Sequence, residues 1–320
     1  MNATLDDLFP DRDRDSAAAD PAQYGVRPPG YRLPDATRIR GVTLQVTDLA
    51  RSLRFYQQVL GLHPLSASAS QAELGAAGRL EPLVTLIENR GSRRRANPKA
   101  LGLYHVAILL PSRGDLGRFV RHLGEIGARA GASDHLVSEA LYLQDPDNLG
   151  IEVYADRPRS SWTHRDRQLV MATDPLDIGS VVAEGGSDPW TGVPAGTVIG
   201  HVHLHVGDIE QGGRFYGDAL GFDRMVWSYP GALFLAAGGY HHHLGTNAWA
   251  GPAARPPEPD DPQLLEWVLE LPTASDVAAA GASLQAARFA AEAHGDGSVL
   301  TRDPWGTTVR LAPAALTAVG

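Results

Sequence analysis

The chain contains no cysteine, which excludes disulfides, thiolate zinc clusters and a cysteine nucleophile and leaves histidine and carboxylate to hold any metal. It has no apolar run of membrane-spanning length. A basic excess is also missing: 28 Lys and Arg stand against 37 Asp and Glu, a net charge of -9 that repels phosphate backbones. The one basic run, Arg93-Arg94-Arg95, reads as a solvated loop, so neither nucleic acid nor membrane is an expected partner. The opening stretch MNATLDDLFPDRDRD is acidic and lacks the apolar core of a signal or transit peptide, and the cytoplasm is the expected compartment. What is present suits a globular chain, 43% hydrophobic and 20% charged, with 35 Gly and 23 Pro announcing turns, hairpins and short strands.

An internal repeat organises the sequence. Residues 39 to 62, IRGVTLQVTDLARSLRFYQQVLGL, overlie residues 199 to 222, IGHVHLHVGDIEQGGRFYGDALGF, at an offset of 160, half of the 320 residues. Each copy begins with alternating apolar residues, Val42, Leu44, Val46 and Val202, Leu204, Val206, the pattern of a strand with one buried face. Asp48 and Asp208 then suit a helix N-cap, and the Leu-Gly pairs ending at Gly61 and Gly221 suit a helix stop. Similar strand and helix patterns start at residues 105 and 267, so four βαβββ units are expected. Residues 1 to 35 read as an arm, 36 to 157 as units one and two, 158 to 197 as a linker with one short helix at DIGSVVAE, and 198 to 315 as units three and four.

The strings GLYHVAILLP, ALYLQDPDNLGIEVYADRPRSSW, IGHVHLHV and GGYHHHLGTNAW resemble the vicinal oxygen chelate superfamily, which includes glyoxalase I, bleomycin-resistance proteins and extradiol dioxygenases. Within it the chain is similar to the two-domain catechol 2,3-dioxygenases of Bacillus type, over roughly residues 36 to 315. The resemblance implies an α+β fold of four βαβββ modules in two tandem glyoxalase-like domains, paired into cup-shaped sheets. It also implies that metal ligands come from the first and last strand of each module. Those positions hold Gly41 and Thr85 in unit one, His105 and Glu152 in unit two, His201 and His243 (or His241, of the same strand parity) in unit three, and Glu266 and Thr308 in unit four. Donors crowd into the two middle units. Pairing the units in chain order completes no convincing set of two histidines and a carboxylate; pairing two with three and one with four gathers His105, Glu152, His201 and His243 in a single cup, and this crossed arrangement is the expected one.

The residues support a site independently. A lone histidine on an apolar strand, such as His105, is more often a core residue, but Glu152 in GIEVY is a carboxylate on an apolar strand, which calls for a cation beside it. His201, His203 and His205 share one strand face, a pattern that packing alone explains poorly. One is expected to be a ligand and the others wall or support. Trp227, Phe234, Tyr240 and Trp249 could equally fill the core or stack on an aromatic ring.

The extradiol signature resembles the stretch from His135 through Tyr142, Asp145 and Pro146 to Glu152, departing at Ser133 and Asn148. It implies metal ligation by His105, Glu152 and His201, with His243, His135, Tyr142 and His241 as catalytic candidates for acid/base work. The implied reaction is extradiol, meta-cleaving ring opening of a catechol with O2, using non-haem Fe(II), with Mn(II) as the other metal candidate and a homodimer as the candidate assembly. Such chemistry needs groups that take protons from the catechol and return them during ring opening. The competing readings are a glyoxalase or isomerase holding Zn or Ni through four protein ligands, and a metal-free binding protein of the bleomycin-resistance kind.

Overall fold

The computed structural model describes residues 24–91 and 100–315; the Arg93-Arg94-Arg95 run lies outside them. Unit one runs β1 (Arg38–Val46), a helix (Leu49–Arg54), β2 (His63–Ala67), β3 (Gln71–Gly75) and β4 (Val84–Glu88). Unit two runs β5 (Gly102–Leu109), a helix (Arg113–Glu125), β6 (Gly131–Asp134), β7 (Ser138–Gln144) and β8 (Gly150–Asp156). A connection follows with β9 (His164–Arg165), β10 (Gln168–Leu169) and a helix (Ile178–Glu184) capped by Asp177. Unit three runs β11 (Val198–His205), a helix (Ile209–Gly212), β12 (Asp223–Val226), β13 (Ala232–Ala236) and β14 (Leu244–Asn247). Unit four runs β15 (Gln263–Leu271), a helix (Ala274–Ala286), β16 (Ala291–Ala293), β17 (Val299–Arg302) and β18 (Thr308–Pro313).

Local chemistry sets these boundaries. Asp48 accepts a hydrogen bond from the Arg51 amide and Asp208 one from Gln211, so both expected N-caps form. Gly61 and Gly221 stop the helical segments in the left-handed region, at φ 79° and 102°. The segments are not α-helical throughout as the sequence suggests. In both copies the α-turns pass into a π-helix, Phe55–Val59 and Gly213–Ala219, from which the buried tyrosines Tyr56 and Tyr216 hydrogen-bond to Asp145 and Asp303 at 3.2 Å and 2.9 Å.

The units pair crosswise, in one continuous sheet. β1 runs antiparallel to β15, joining units one and four, and β11 runs antiparallel to β5, joining units two and three. Only the register pair Ile39 and Ile199 links β1 to β11 at the middle of the sheet. In the cup of units one and four the carboxylate of Glu266 is gripped by the Arg310 guanidinium at 2.8 Å and 3.0 Å, which supplies the cation that a metal would otherwise provide. Apolar side chains between helices and sheet, led by Trp267, Tyr56, Tyr216, Phe119, Phe215 and Phe222, form the core that holds both cups.

The DPDN turn between β7 and β8 is structural. Asp145 accepts from the Asp147 and Leu149 amides at 2.8 Å, and Asn148 sits in the left-handed region at φ 64°. Burial pushes the Asp145 carboxyl up to about 7, against the pull of the Leu149 amide. Because the folded pKa lies above the value near 3.9 expected of an unfolded chain, the contribution of this group is fully present below about pH 4 and is lost as pH rises through 7, at up to roughly 4 kcal/mol. In Asp145→Asn, which keeps an amide oxygen for the same two N–H groups, urea denaturation at pH 4.5 and pH 8 is expected to show a smaller loss of stability across that interval than in the wild type. An equal loss in both proteins would reject the assignment.

Candidate metal centre and active site

Three neighbouring strands build the site. His105 lies on β5, His201 on β11 and Glu152 on β8, and Ala107 is the register partner of both His201 and Glu152. Alanine at that point places only a methyl group between the flanking side chains, so His201 and Glu152 can meet across it. The three side chains are buried, with ligand atoms all within 4.8 Å of one another, the one such group among the described residues. His105 Nε2 lies 2.9 Å and His201 Nε2 3.1 Å from the same oxygen, Glu152 Oε2.

These residues fit a metal ion. Both imidazole nitrogens stand about 3 Å from one carboxylate oxygen, close enough for the three donors to share a single ion. His105 Nε2 is also a buried nitrogen with no hydrogen-bond partner: it is close to Glu152 but not aligned with it. Burial alone would raise the Glu152 carboxyl, but the His201 and His105 imidazoles overcome it and hold the group well below the usual carboxylate range. Burial drives His201 down to about 4, so its ring is neutral at pH 7 with a lone pair to give.

A cavity of about 240 Å³ opens over the three side chains. Its polar wall is His135, Tyr142, His203 and His242, and its apolar wall includes Phe234 and Trp249. His135 Nδ1 lies 2.6 Å from the Ala172 carbonyl, which can only accept, so the proton is on Nδ1 and Nε2 accepts from the Tyr142 hydroxyl at 2.5 Å. Burial, reinforced by the Glu152 charge, pushes the Tyr142 phenol well above its ordinary value and keeps it protonated. Asn247 braces two more rings, with Nδ2 donating to His203 Nε2 at 3.0 Å and Oδ1 lying 2.6 Å from His205 Nδ1. Tyr104 and Tyr142 stand between this cavity and an open groove of about 570 Å³ that carries Arg129 and Gln144.

The histidine run is placed differently from the expectation. His243, with His241 as its equal-parity alternative, was expected to face into the cup from a strand. Gly238 and Gly239, at φ 61° and 65°, turn the chain, and residues 241 to 243 form a bend before β14, so strand parity does not govern them. His242 is the one that enters the cavity, its ring centroid 4.1 Å from that of His201, and burial holds it neutral. His243 points away: its Nδ1 accepts from the Ala237 amide at 3.2 Å and its ring centroid lies 5.0 Å from that of Tyr240. His241 is fully buried behind the cavity wall, with Nε2 2.9 Å from Asp156 Oδ1. Of the aromatic residues left undecided by the sequence, Phe234 and Trp249 line the cavity and Tyr240 and Trp227 do not. Tyr104, Tyr229 and Asn247 are site residues that the sequence did not disclose, and His242 stood in the histidine run without being preferred over its neighbours; Tyr104 carried a signal in standing directly before His105.

A fold of paired βαβββ units with two histidines and a carboxylate on the floor of one cup defines a class of metal-chelating proteins. The chain belongs to the Glyoxalase/Bleomycin resistance protein/Dioxygenase superfamily, whose pattern matches residues 38–153 and 198–311. It is 48% identical over 235 residues to a catechol-2,3-dioxygenase of Bacillus subtilis (strain 168), covering 72% of this chain and 81% of that protein. A solved structure of a candidate dioxygenase from Bacillus subtilis shares the fold at a TM-score of 0.62 and 12% identity, covering 88% of this chain and 86% of that one. Glyoxalase I from Zea mays superposes with a TM-score of 0.51 at 17% identity, covering 87% and 92%.

Proposed function

We propose that the protein is an extradiol dioxygenase that opens the ring of a catechol with O2, using a metal held by His105, Glu152 and His201. The observation that carries the reading is the buried triad of two histidines and one carboxylate beneath an aromatic-lined cavity, the donor set of non-haem iron oxygenases. Fe(II) is the metal this set suits best and Mn(II) the second. When bound by these three residues, the ion would supply Lewis acidity toward the catechol oxygens and a means of activating O2. The four-ligand isomerase reading loses support at Gly245. Aligning His201 with His105 puts Gly245, the partner of His203 on β14, where Glu152 partners Ala107 on β8, and glycine offers no ligand there.

The remaining residues divide the work. His242, neutral and in contact with His201, takes a proton from the bound catechol. Tyr142, whose hydroxyl proton is held by His135 with the Ala172 carbonyl behind it, presents its oxygen as an acceptor for a substrate hydroxyl and can pass a proton between substrate and His135 Nε2. Phe234, Tyr229 and Trp249 offer ring faces to the substrate and narrow the way in for water. His243 and His241 do not touch substrate in this scheme. A homodimer remains the candidate assembly, and the divisions 36 to 157 and 198 to 315 remain the proposed domains.

The test is anaerobic reconstitution with Fe(II), and separately with Mn(II), followed by catechol and O2. A yellow ring-opened product is expected with one of the two metals. Metal bound at one equivalent with no colour and no O2 uptake would defeat the proposal.

A further inference from the structure

Behind His242 the structure contains a hydrogen-bonded chain that the proposed chemistry has not used. His242 Nδ1 lies 2.7 Å from His241 Nδ1, and His241 Nε2 lies 2.9 Å from Asp156 Oδ1. The Tyr240 hydroxyl donates to that same oxygen at 3.2 Å, and the Tyr154 hydroxyl lies 2.7 Å from Tyr240. The chain runs outward, since the His241 side chain is 0% exposed and the Asp156 side chain 27%.

We propose that Asp156 and His241 are positioning residues that hold His242 with its proton on Nδ1 and its Nε2 lone pair toward the cavity, and that pass a proton from His242 to solvent. A carboxylate only accepts, so the proton between His241 Nε2 and Asp156 belongs to the imidazole. With its one proton on Nε2, the His241 ring has a bare Nδ1, and in the short contact between the two Nδ1 atoms His242 is then the donor. That leaves His242 Nε2 as the free base of a ring that lines the cavity, and this nitrogen makes no hydrogen bond among the described residues. The transfer balances: a proton arrives at His242 Nε2, the Nδ1 proton moves to His241 Nδ1, and the His241 Nε2 proton moves to Asp156, which exchanges it with water. Return of a proton by the reverse steps restores the starting tautomers.

The inference rests on the dioxygenase reading for its catalytic consequence but not for its first measurement. Nitrogen-15 NMR of the metal-free protein should find His242 protonated on Nδ1 and bare on Nε2 in the wild type, with that preference lost in Asp156→Leu. In the iron-loaded enzyme, Asp156→Leu should lower kcat for catechol by about tenfold or more while KM stays within about twofold. Asp156→Asn, which can accept the His241 proton in a hydrogen bond but cannot take it up, should keep the tautomer and still lose kcat; Asp156→Glu should recover most of it. Iron content at one equivalent in each variant shows that the cup has formed. Wild-type His242 protonated on Nε2 would overturn the positioning, and kcat unchanged in both Asp156→Leu and Asp156→Asn would overturn the relay. Should iron-loaded wild-type protein cleave no catechol, the dioxygenase reading fails while the NMR result still decides the tautomer.

Discussion

His201→Ala should lose its metal as completely as His105→Ala does, although the two residues lie in different halves of the chain. Both imidazoles address one oxygen, Glu152 Oε2, across the β5 and β11 pairing, so either deletion removes one of three protein ligands from a single ion. Loss of a residue that merely orients a ligand weakens metal binding about 10- to 100-fold, and loss of a ligand itself should exceed that range. Iron retained after gel filtration is expected at one equivalent in the wild type and at trace level in both variants. Glu152→Gln should behave alike, because an amide replaces the anion at nearly the same volume. Its metal-free form is expected to melt below metal-free wild type, because the imidazoles that hold the Glu152 carboxyl low lose their partner, but still in one cooperative transition, which separates loss of the site from loss of the fold. Iron kept by His201→Ala but not by His105→Ala would mean that the halves bind metal separately, and the single-site account would end there.

The unit architecture was legible because its signals are local and occur twice. Asp48 and Asp208, Gly61 and Gly221, and the alternating apolar residues of β1 and β11 each specify an element within a few residues of themselves. The crossed pairing is a long-range property, yet it could be read from where the chemistry is concentrated: Glu152 calls for a cation, and only the middle units carry histidines on their first strands to share with it. Glu266 posed the same question in unit four and received a different answer, Arg310, because a guanidinium two residues past Thr308 on the adjacent β18 satisfies both oxygens. That the histidine run serves a site was legible, but that His242 is the member facing the cavity was not. Strand parity is a reliable guide only where there is a strand, and the left-handed Gly238 and Gly239 convert the expected strand into a bend whose middle histidine faces the cavity. The π-turns were hidden for a related reason, since apolar spacing over so short a segment does not distinguish them from α-turns.

Gly200→Ala should damage both stability and metal binding, through one point of contact. Gly200 lies on β11 directly before His201, where the Tyr154 ring from β8 crosses close against the backbone. A Cβ there would fall inside the Tyr154 hydroxyl, with Tyr154 Cζ at 2.8 Å and Leu109 Cβ at 3.0 Å. The tyrosine has no room to retreat: Tyr154 is fully buried and held by its 2.7 Å hydrogen bond to Tyr240, and its ring centroid lies 5.0 Å from that of His201. Relief must therefore come from displacement of β11 or of the Tyr154 ring, and either moves His201 relative to Glu152. Overpacking of this kind costs about 1–3 kcal/mol, which lowers the melting temperature by several degrees for a chain of this size. Iron affinity should fall together with stability, whereas an alanine at the exposed Gly124, with no neighbour in reach of its Cβ, should alter neither. Adding Tyr154→Phe removes the hydroxyl that meets the new methyl group, and the double variant should recover part of both losses, a coupling that the single substitutions do not show when summed. Gly200→Ala that melts with the wild type and keeps its iron would show that β11 is not pinned by Tyr154, and that His201 owes its placement to some other contact.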